Sequence, residues 1–169
     1  MIFLILLRRT EFYSGRDGFI NKLLYEINKT RCDKIQLKLG FDIGYNVFGY
    51  GLVLPHHGTI VVGSGNRIGN YCVLHTSTCI TTWHKVIGDG LYVSAGAKIK
   101  DDINLGDYVS IGANAMVNKH CDGLEKVMIA GNPAHVIKES GEWWVRDGEE
   151  YIKRVKACKK NLKIKLFNY

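Results

Sequence analysis

From Val62 to Val117 an aliphatic residue returns every six positions: Val62, Ile68, Leu74 and Ile80, then Ile87, Val93, Ile99, Leu105, Ile111 and Val117. A helix would repeat at about 3.6 residues and a half-buried strand at 2, so neither accounts for the spacing. A strict six predicts the hexapeptide form of parallel β-helix. Each hexad gives one short strand and a turn, three hexads close a triangular coil, and the aliphatic side chain points inward. The residue that follows is usually small, as at Gly63, Gly69, Ser94, Gly106 and Gly112, which suits a tight corner where a Cβ is unwelcome. The series slips once. Ile80 to Ile87 is seven residues, and the extra one falls in a segment carrying Trp83 and His84. Insertions in repeat arrays map to loops, and loops carry function.

The flanks read differently. Phe19, Ile20, Leu23, Leu24 and Ile27 fall on one face of a helix over residues 18–28, with Ser14 or Asp17 as its cap. A second short helix or extended piece covers Thr30 to Leu39. Asp42 to Leu54 is irregular and predicts a first, imperfect coil, since terminal repeats lack a neighbour on one side. Residues 118–126 form a loop, Val127 to Ile129 a strand, and residues 130–134 a turn before Pro133. Residues 142–148, with Trp143 and Trp144, read as a connector. From Glu149 a helix follows, with Tyr151, Ile152, Val155, Cys158 and Leu162 on one face and lysines elsewhere. The expected division is a helical segment 1–41, a solenoid 42–138, and a connector with a basic helix 139–169.

At 169 residues the chain has room for one such domain, and 19 glycines against 2 prolines fit a body made of corners. Five cysteines without a CxxC pair argue against a disulfide framework and for a reducing cytoplasm. Cys72 and Cys79 fall within the coils and are expected to be packed thiols. The net charge of +7 owes much to the tail and is expected to be a solvated helix face. Neither an aromatic–basic motif nor a groove-reading helix is present, so nucleic acid is not an expected partner. The apolar start, Met1 to Leu7, is too short to span a bilayer, and Arg8 and Arg9 lie on the wrong side for a secretory signal. It reads as a buried or subunit-docking segment, with membrane contact unlikely.

Four stretches in order, LVLPHHGTIVVG, HKVIGDGLYVSAGAKI, LGDYVSIGANAMV and IAGNPAHVI, resemble the serine O-acetyltransferase branch of the hexapeptide-repeat acyltransferases. The resemblance covers Asp42 to about Lys138. It implies a left-handed β-helix, an acetyl-coenzyme A substrate without a metal, and a homotrimer with active sites between subunits. It also implies that His56 is the catalytic general base and His84 a second active-site residue, with Asp42, after a one-residue gap, orienting His56. Ser94, Ala95, Gly96, Gly112 and Ala113 would form the wall along which the pantetheine arm lies. Lys98, Lys119 and Lys138 are candidates for the cofactor's phosphates. A neutral imidazole with a pKa of about 6.5 suits the proton of an attacking hydroxyl.

The chain also departs from that branch. The Asp that precedes the catalytic His in serine-specific enzymes is Pro55 here. The loop before His84 is shorter, and the large helical N-terminal domain is replaced by about forty residues. These changes fall on acceptor recognition. The expected acceptor is therefore a sugar hydroxyl in surface-polysaccharide synthesis, with Trp83 and His57 beside it; the alternative is L-serine. A zinc enzyme of this fold needs three histidine ligands, and the spacing of His56, His57, His75 and His84 does not supply them. A non-catalytic binding scaffold remains a further class.

Overall fold

The structure is a computed structural model that describes residues 2–82, 84–100 and 102–166, with side-chain surroundings through residue 161. The chain opens with α1 (Ile2–Ser14) and α2 (Phe19–Leu39). The coils then carry β1 (Phe41–Ile43), β2 (Ile60–Val62), β3 (Arg67–Ile68), β4 (Val73–Leu74), β5 (Thr78–Ile80) and β6 (Val86–Ile87). They continue through β7 (Tyr92–Val93), β8 (Lys98–Ile99), β9 (Ser110–Ile111), β10 (Met116–Val117), β11 (Val127–Ala130) and β12 (His135–Glu139). Two helices close the chain, α3 (Trp143–Asp147) and α4 (Glu149–Leu166).

The hexads make three parallel faces. On the first, β1, β2, β5, β8 and β10 stack in that order, bringing Ile43, Val62, Ile80, Ile99 and Val117 into one column. Phe48, Ile68, Ile87 and Leu105 form the second. On the third, β4, β7, β9 and β11 align Leu74, Val93, Ile111 and Ile129. All ten residues of the six-residue series are buried in one core, as a period that returns each side chain to the coil axis requires. The chain is thus a parallel β-solenoid with N-terminal helices and a C-terminal helix.

The small residues after the aliphatic ones answer to a different constraint from the one the sequence suggests. The left-handed backbone falls two positions later, at Tyr71, Gly90 and Tyr108 on one corner and at Ser77, Gly96 and Asn114 on another. Gly69 and Gly88 are set by the next coil instead. A Cβ on Gly69 would lie 2.7 Å from the Gly88 carbonyl carbon, and one on Gly88 would lie 2.8 Å from that of Gly106. The residues beside them form a ladder. Asp89 Oδ1 accepts the Asn70 amide at 2.6 Å, and Asp107 Oδ1 accepts the Asp89 amide at 2.7 Å.

Three corners are longer than six residues. One is the slip between Ile80 and Ile87. A second lies between Leu54 and Val62, eight residues where the next coil uses six from Leu74 to Ile80. The second slip was hidden in the irregular first coil. These two corners carry His84 and His56. The third, the seven from Val117 to Leu124 with its turn at Lys119–Cys121, carries neither His56 nor His84.

The ends are covered in different ways. On α1, Phe3, Leu6 and Leu7 are buried against the first coil, with Phe3 edge-on to Phe41 at 5.2 Å. Arg8 donates to the carbonyls of Phe48, at 2.8 Å, and Gly49, while Glu11 accepts the Asn46 amide at 2.8 Å. Such partners satisfy the open edge of a solenoid. Helix α2 is continuous where two pieces were expected, and Gly18 stands at its start with no side-chain cap. Its packed face is also not the expected one. Asn28, Cys32 and Gln36 are buried, and Gln36 Oε1 accepts the Ile43 amide at 2.8 Å. Phe19 and Ile20 are 82% and 71% exposed in the single chain. Residues 142–148 are likewise more than a connector. Trp143 and Trp144 on α3 are buried against the third face with Tyr71, Val73 and Val155, and the Trp143 indole donates to the Tyr71 carbonyl at 2.7 Å. Tyr151, Ile152 and Cys158 of α4 pack on the same cluster; the Leu162 side chain lies outside the described residues. Burial pushes the Tyr71 phenol up to about 12. Among the described residues no helix is long and apolar enough to cross a membrane.

Candidate active site

Several candidate side chains gather on the corner between the third and first faces. In the first coil this corner is the long segment Pro55 to Thr59, which exposes His56 and His57. In the following coils the same corner reads His75–Thr76, Ser94–Ala95 and Gly112–Ala113. The backbone fixes the alignment, since the amides of His75, Ser94 and Gly112 donate to Val93, Ile111 and Ile129 at 3.0, 3.0 and 2.8 Å. Next in line, the exposed amides of Ala95 and Ala113 donate to no partner among the described residues. Gly96 takes φ +76°, and its amide returns to the Thr76 carbonyl at 3.1 Å. One corner therefore offers an exposed imidazole at one end and free N–H groups along a smooth wall.

The sequence did not single out the nearest neighbour of His56. The His75 ring lies 6.0 Å from the His56 ring between centroids, and its Nε2 is 2.9 Å from the Tyr92 hydroxyl. The Arg146 guanidinium sits 4.3 Å from the centroid of the Tyr92 ring and is itself paired with Asp147 at 2.7 Å. Burial and the nearby His56 hold His75 below the ordinary imidazole value, with Arg146 adding to this and Asp147 opposing it. A signal was present: His56 and His75 are nineteen positions apart, within one residue of the twenty that separate the paired Val53 and Val73.

His84 stands elsewhere, on the long corner between the first and second faces. It is exposed, with φ +49°, a region that non-glycine residues seldom enter. Asn66 ties this corner down, donating to the carbonyls of Gly63 and Thr81 at 2.9 Å each, and its Oδ1 accepts the Lys85 amide at 3.2 Å. The Lys85 ammonium is buried and donates to the Thr81 carbonyl at 2.8 Å. Within one chain His56 and His84 thus occupy different corners and do not meet. Asp42 is exposed on β1, and among the described residues no hydrogen bond or ion pair joins it to His56.

The lysines differ in availability. Lys98 is exposed and, among the described residues, reaches only the Gly96 carbonyl, at 3.3 Å. Lys119 is engaged locally, donating to the Asp102 carbonyl at 3.0 Å with Asp122 at 3.7 Å. Lys138 lies on β12 beside a cleft of about 650 Å³ that Ser110, Met128, Trp143 and Arg146 also line; His56 takes no part in that cleft. Trp83 lies outside the described residues. Cys72 is buried, and burial pushes its thiol up, as for a packed side chain. Among the described residues no cluster of three metal-ligating side chains occurs.

Stacked hexads on three parallel faces define the chain as a hexapeptide-repeat solenoid protein. Within that class it is similar to serine acetyltransferases. It is 25% identical over 138 residues to the serine acetyltransferase of Staphylococcus xylosus, covering 78% of this chain and 60% of that one. It is 28% identical over 127 residues to the serine acetyltransferase of Staphylococcus aureus strain N315, covering 71% and 55%. The crystal structure of serine acetyltransferase from Brucella abortus strain S19 superposes with a TM-score of 0.66 at 23% identity, over 82% of this chain and 57% of that one. The same enzyme in complex with coenzyme A gives a TM-score of 0.59 at 23% identity, over 82% and 55%. The likeness to these two structures shows the fold. The chain spans little more than half the length of these relatives. No protein-family model matches it.

Proposed function

We propose that the chain is an acetyl-coenzyme A-dependent O-acetyltransferase that moves an acetyl group directly to a hydroxyl of a small acceptor. The observation that carries this is the order along one corner: exposed His56, then the unpartnered amides of Ala95 and Ala113 in successive coils. Unpaired amides on a smooth wall suit an extended arm that hydrogen-bonds like an added strand. Ser94, Gly96 and Gly112 keep that wall low. Lys98 is the most available cation for the nucleotide phosphates, with Lys119 and Lys138 further candidates. The similarity to serine acetyltransferases and the coenzyme A complex of a structural neighbour support the same donor.

The chemistry follows. His56 takes the acceptor's hydroxyl proton as that oxygen bonds to the thioester carbonyl carbon. The tetrahedral intermediate collapses, the C–S bond breaks, and His56 returns the proton to the departing thiolate, giving ester and free thiol. Such assistance is worth about 10²–10⁴-fold. Asp42 would hold the other ring nitrogen once the site is loaded, because catalytic hydrogen bonds often tighten only in the reacting complex. His84 would come from a neighbouring subunit of a homotrimer and meet His56 across the interface.

L-serine is the acceptor that the relatives' names support. A sugar hydroxyl is the second reading, favoured by Pro55 in place of the Asp of serine-specific enzymes, with His57 near it. The purified full chain, given acetyl-coenzyme A and either L-serine or a panel of sugar nucleotides and oligosaccharides, should release thiol with one of them. His56→Ala should lower turnover about 10²-fold or more and leave coenzyme A affinity nearly unchanged. No thiol release and no coenzyme A binding by calorimetry would refute the proposal.

A further inference from the structure

We propose that His75 is a second catalytic residue of this corner, whose free ring N–H stabilises the thioester oxygen as it gains negative charge. The inference rests on the acetyl-transfer reading above and adds to it a group that neither the repeat nor the resemblance supplies.

Position comes first. His75 occupies the same place in its coil as Ser94 and Gly112 do in the next two. Parallel coils are about 4.8 Å apart. A thioester arm lying along Ser94 and Gly112 toward His56 therefore reaches His75 before the base. His75 is the first large side chain at that end of the wall, and its ring centre is 6.0 Å from that of His56. An acyl carbon placed for attack by an oxygen that His56 deprotonates lies between the two rings.

Orientation comes second. Imidazole has two nitrogens, and when neutral only one carries a proton. Nε2 is held by the Tyr92 hydroxyl at 2.9 Å, whereas Nδ1 makes no hydrogen bond among the described residues. We assign the Tyr92 O–H as the donor to Nε2, and the phenol is kept protonated by burial and then by Asp147, with Arg146 opposing. The ring's own proton then sits on the unpartnered Nδ1. Tyr92 is in turn fixed between the Arg146 guanidinium at 4.3 Å and the Trp143 ring at 6.2 Å. A donor locked before the reaction costs no reorganisation as charge develops, and one such donor is typically worth about 10²–10³-fold in kcat. The base and the donor divide the work: His56 carries the proton from hydroxyl to thiolate, and His75 keeps its own throughout.

The test uses the full chain with acetyl-coenzyme A and whichever acceptor gives thiol release. His75→Ala should lower kcat about 10²-fold with the KM for acetyl-coenzyme A changed less than about threefold. His75→Gln, which keeps an N–H donor, should recover at least about tenfold of that loss. Tyr92→Phe should lower kcat with unchanged coenzyme A binding. A His75→Ala kcat within about threefold of the parent overturns the inference, and so does a loss in folded protein that Gln does not restore. If the Ala variant does not fold, Tyr92→Phe decides, and an unchanged kcat there overturns it. A parent that transfers acetyl to no acceptor overturns the acetyl-transfer reading itself. A parent that transfers while His56→Ala does not, with His75→Ala unaffected, removes only the role of His75.

Discussion

His75 also reports on the folded state through pH. Its folded value is depressed, chiefly by burial, below the ordinary 6.5. Between the folded and unfolded values the unfolded chain binds the extra proton more readily, so stability rises with pH across that window and is lost as pH falls into it. The expected outcome is a melting temperature that drops as pH is lowered from 7 through about 6.5 and below, with a shallower drop in His75→Gln. A pH series of thermal melts checks it. At Gly88 the constraint is steric. Nothing flexible meets an added Cβ on one side, because the Gly106 carbonyl carbon and the Asp107 amide nitrogen both lie 2.8 Å away. Gly88→Ala should destabilise by about 1–3 kcal/mol in denaturant unfolding, although Gly88 has no left-handed backbone to lose.

The elements differ in how much of them the sequence discloses. The coils are legible because every inward residue is aliphatic and every step is six, so Val62 to Val117 needs no tertiary knowledge. The helices are less so. Phe19, Ile20, Leu23 and Ile27 do share a helical face, but periodicity says only that a face exists. The side of α2 that meets the solenoid is set by Gln36 and Cys32 reaching the first coil. Trp143 and Trp144 looked like a linker because five residues are too few to show a period. Their partners, Tyr71 and Tyr108, are far away in sequence. The same distance hid His75, whose environment exists only after β7 is stacked on β4 and α3 has docked. A consequence can be measured for α3. Trp143→Ala removes a buried side chain and the donor to the Tyr71 carbonyl, and should cost about 3–5 kcal/mol. Loosening of α4 should accompany it, seen as loss of amide-exchange protection over residues 149–161.

For the whole molecule the question is whether corners from different copies meet, as the proposed homotrimer requires. His56 and His84 stand on different corners of one prism, which is what a site shared between neighbours in a ring needs. Sedimentation should give three times the chain mass. Mixing His56→Ala with His84→Ala chains, each impaired alone, should restore part of the activity, because some interfaces then pair an intact His56 with an intact His84. No recovery on mixing would place both histidines' work within one chain. Asp42, exposed and unbonded to His56 in the single chain, should matter for turnover and little for assembly.

The row of Asn70, Asp89 and Asp107, each taking the amide of the coil before it, has a consequence for how such a chain can change in length. Asn70 and Asp89 each accept from the coil before and donate to the coil after, and Asp107 accepts in turn, so the coils share a single gearing. Excising one complete circuit, as from Gly88 to Leu105, lets Gly69 close onto Gly106 and re-engages every tooth. Removing a few residues more or fewer would slip all three sides at once. Growth and loss in a molecule of this kind therefore come in whole revolutions, and single residues are added only where a corner already bulges, as it does at His56 and His84 and after Val117.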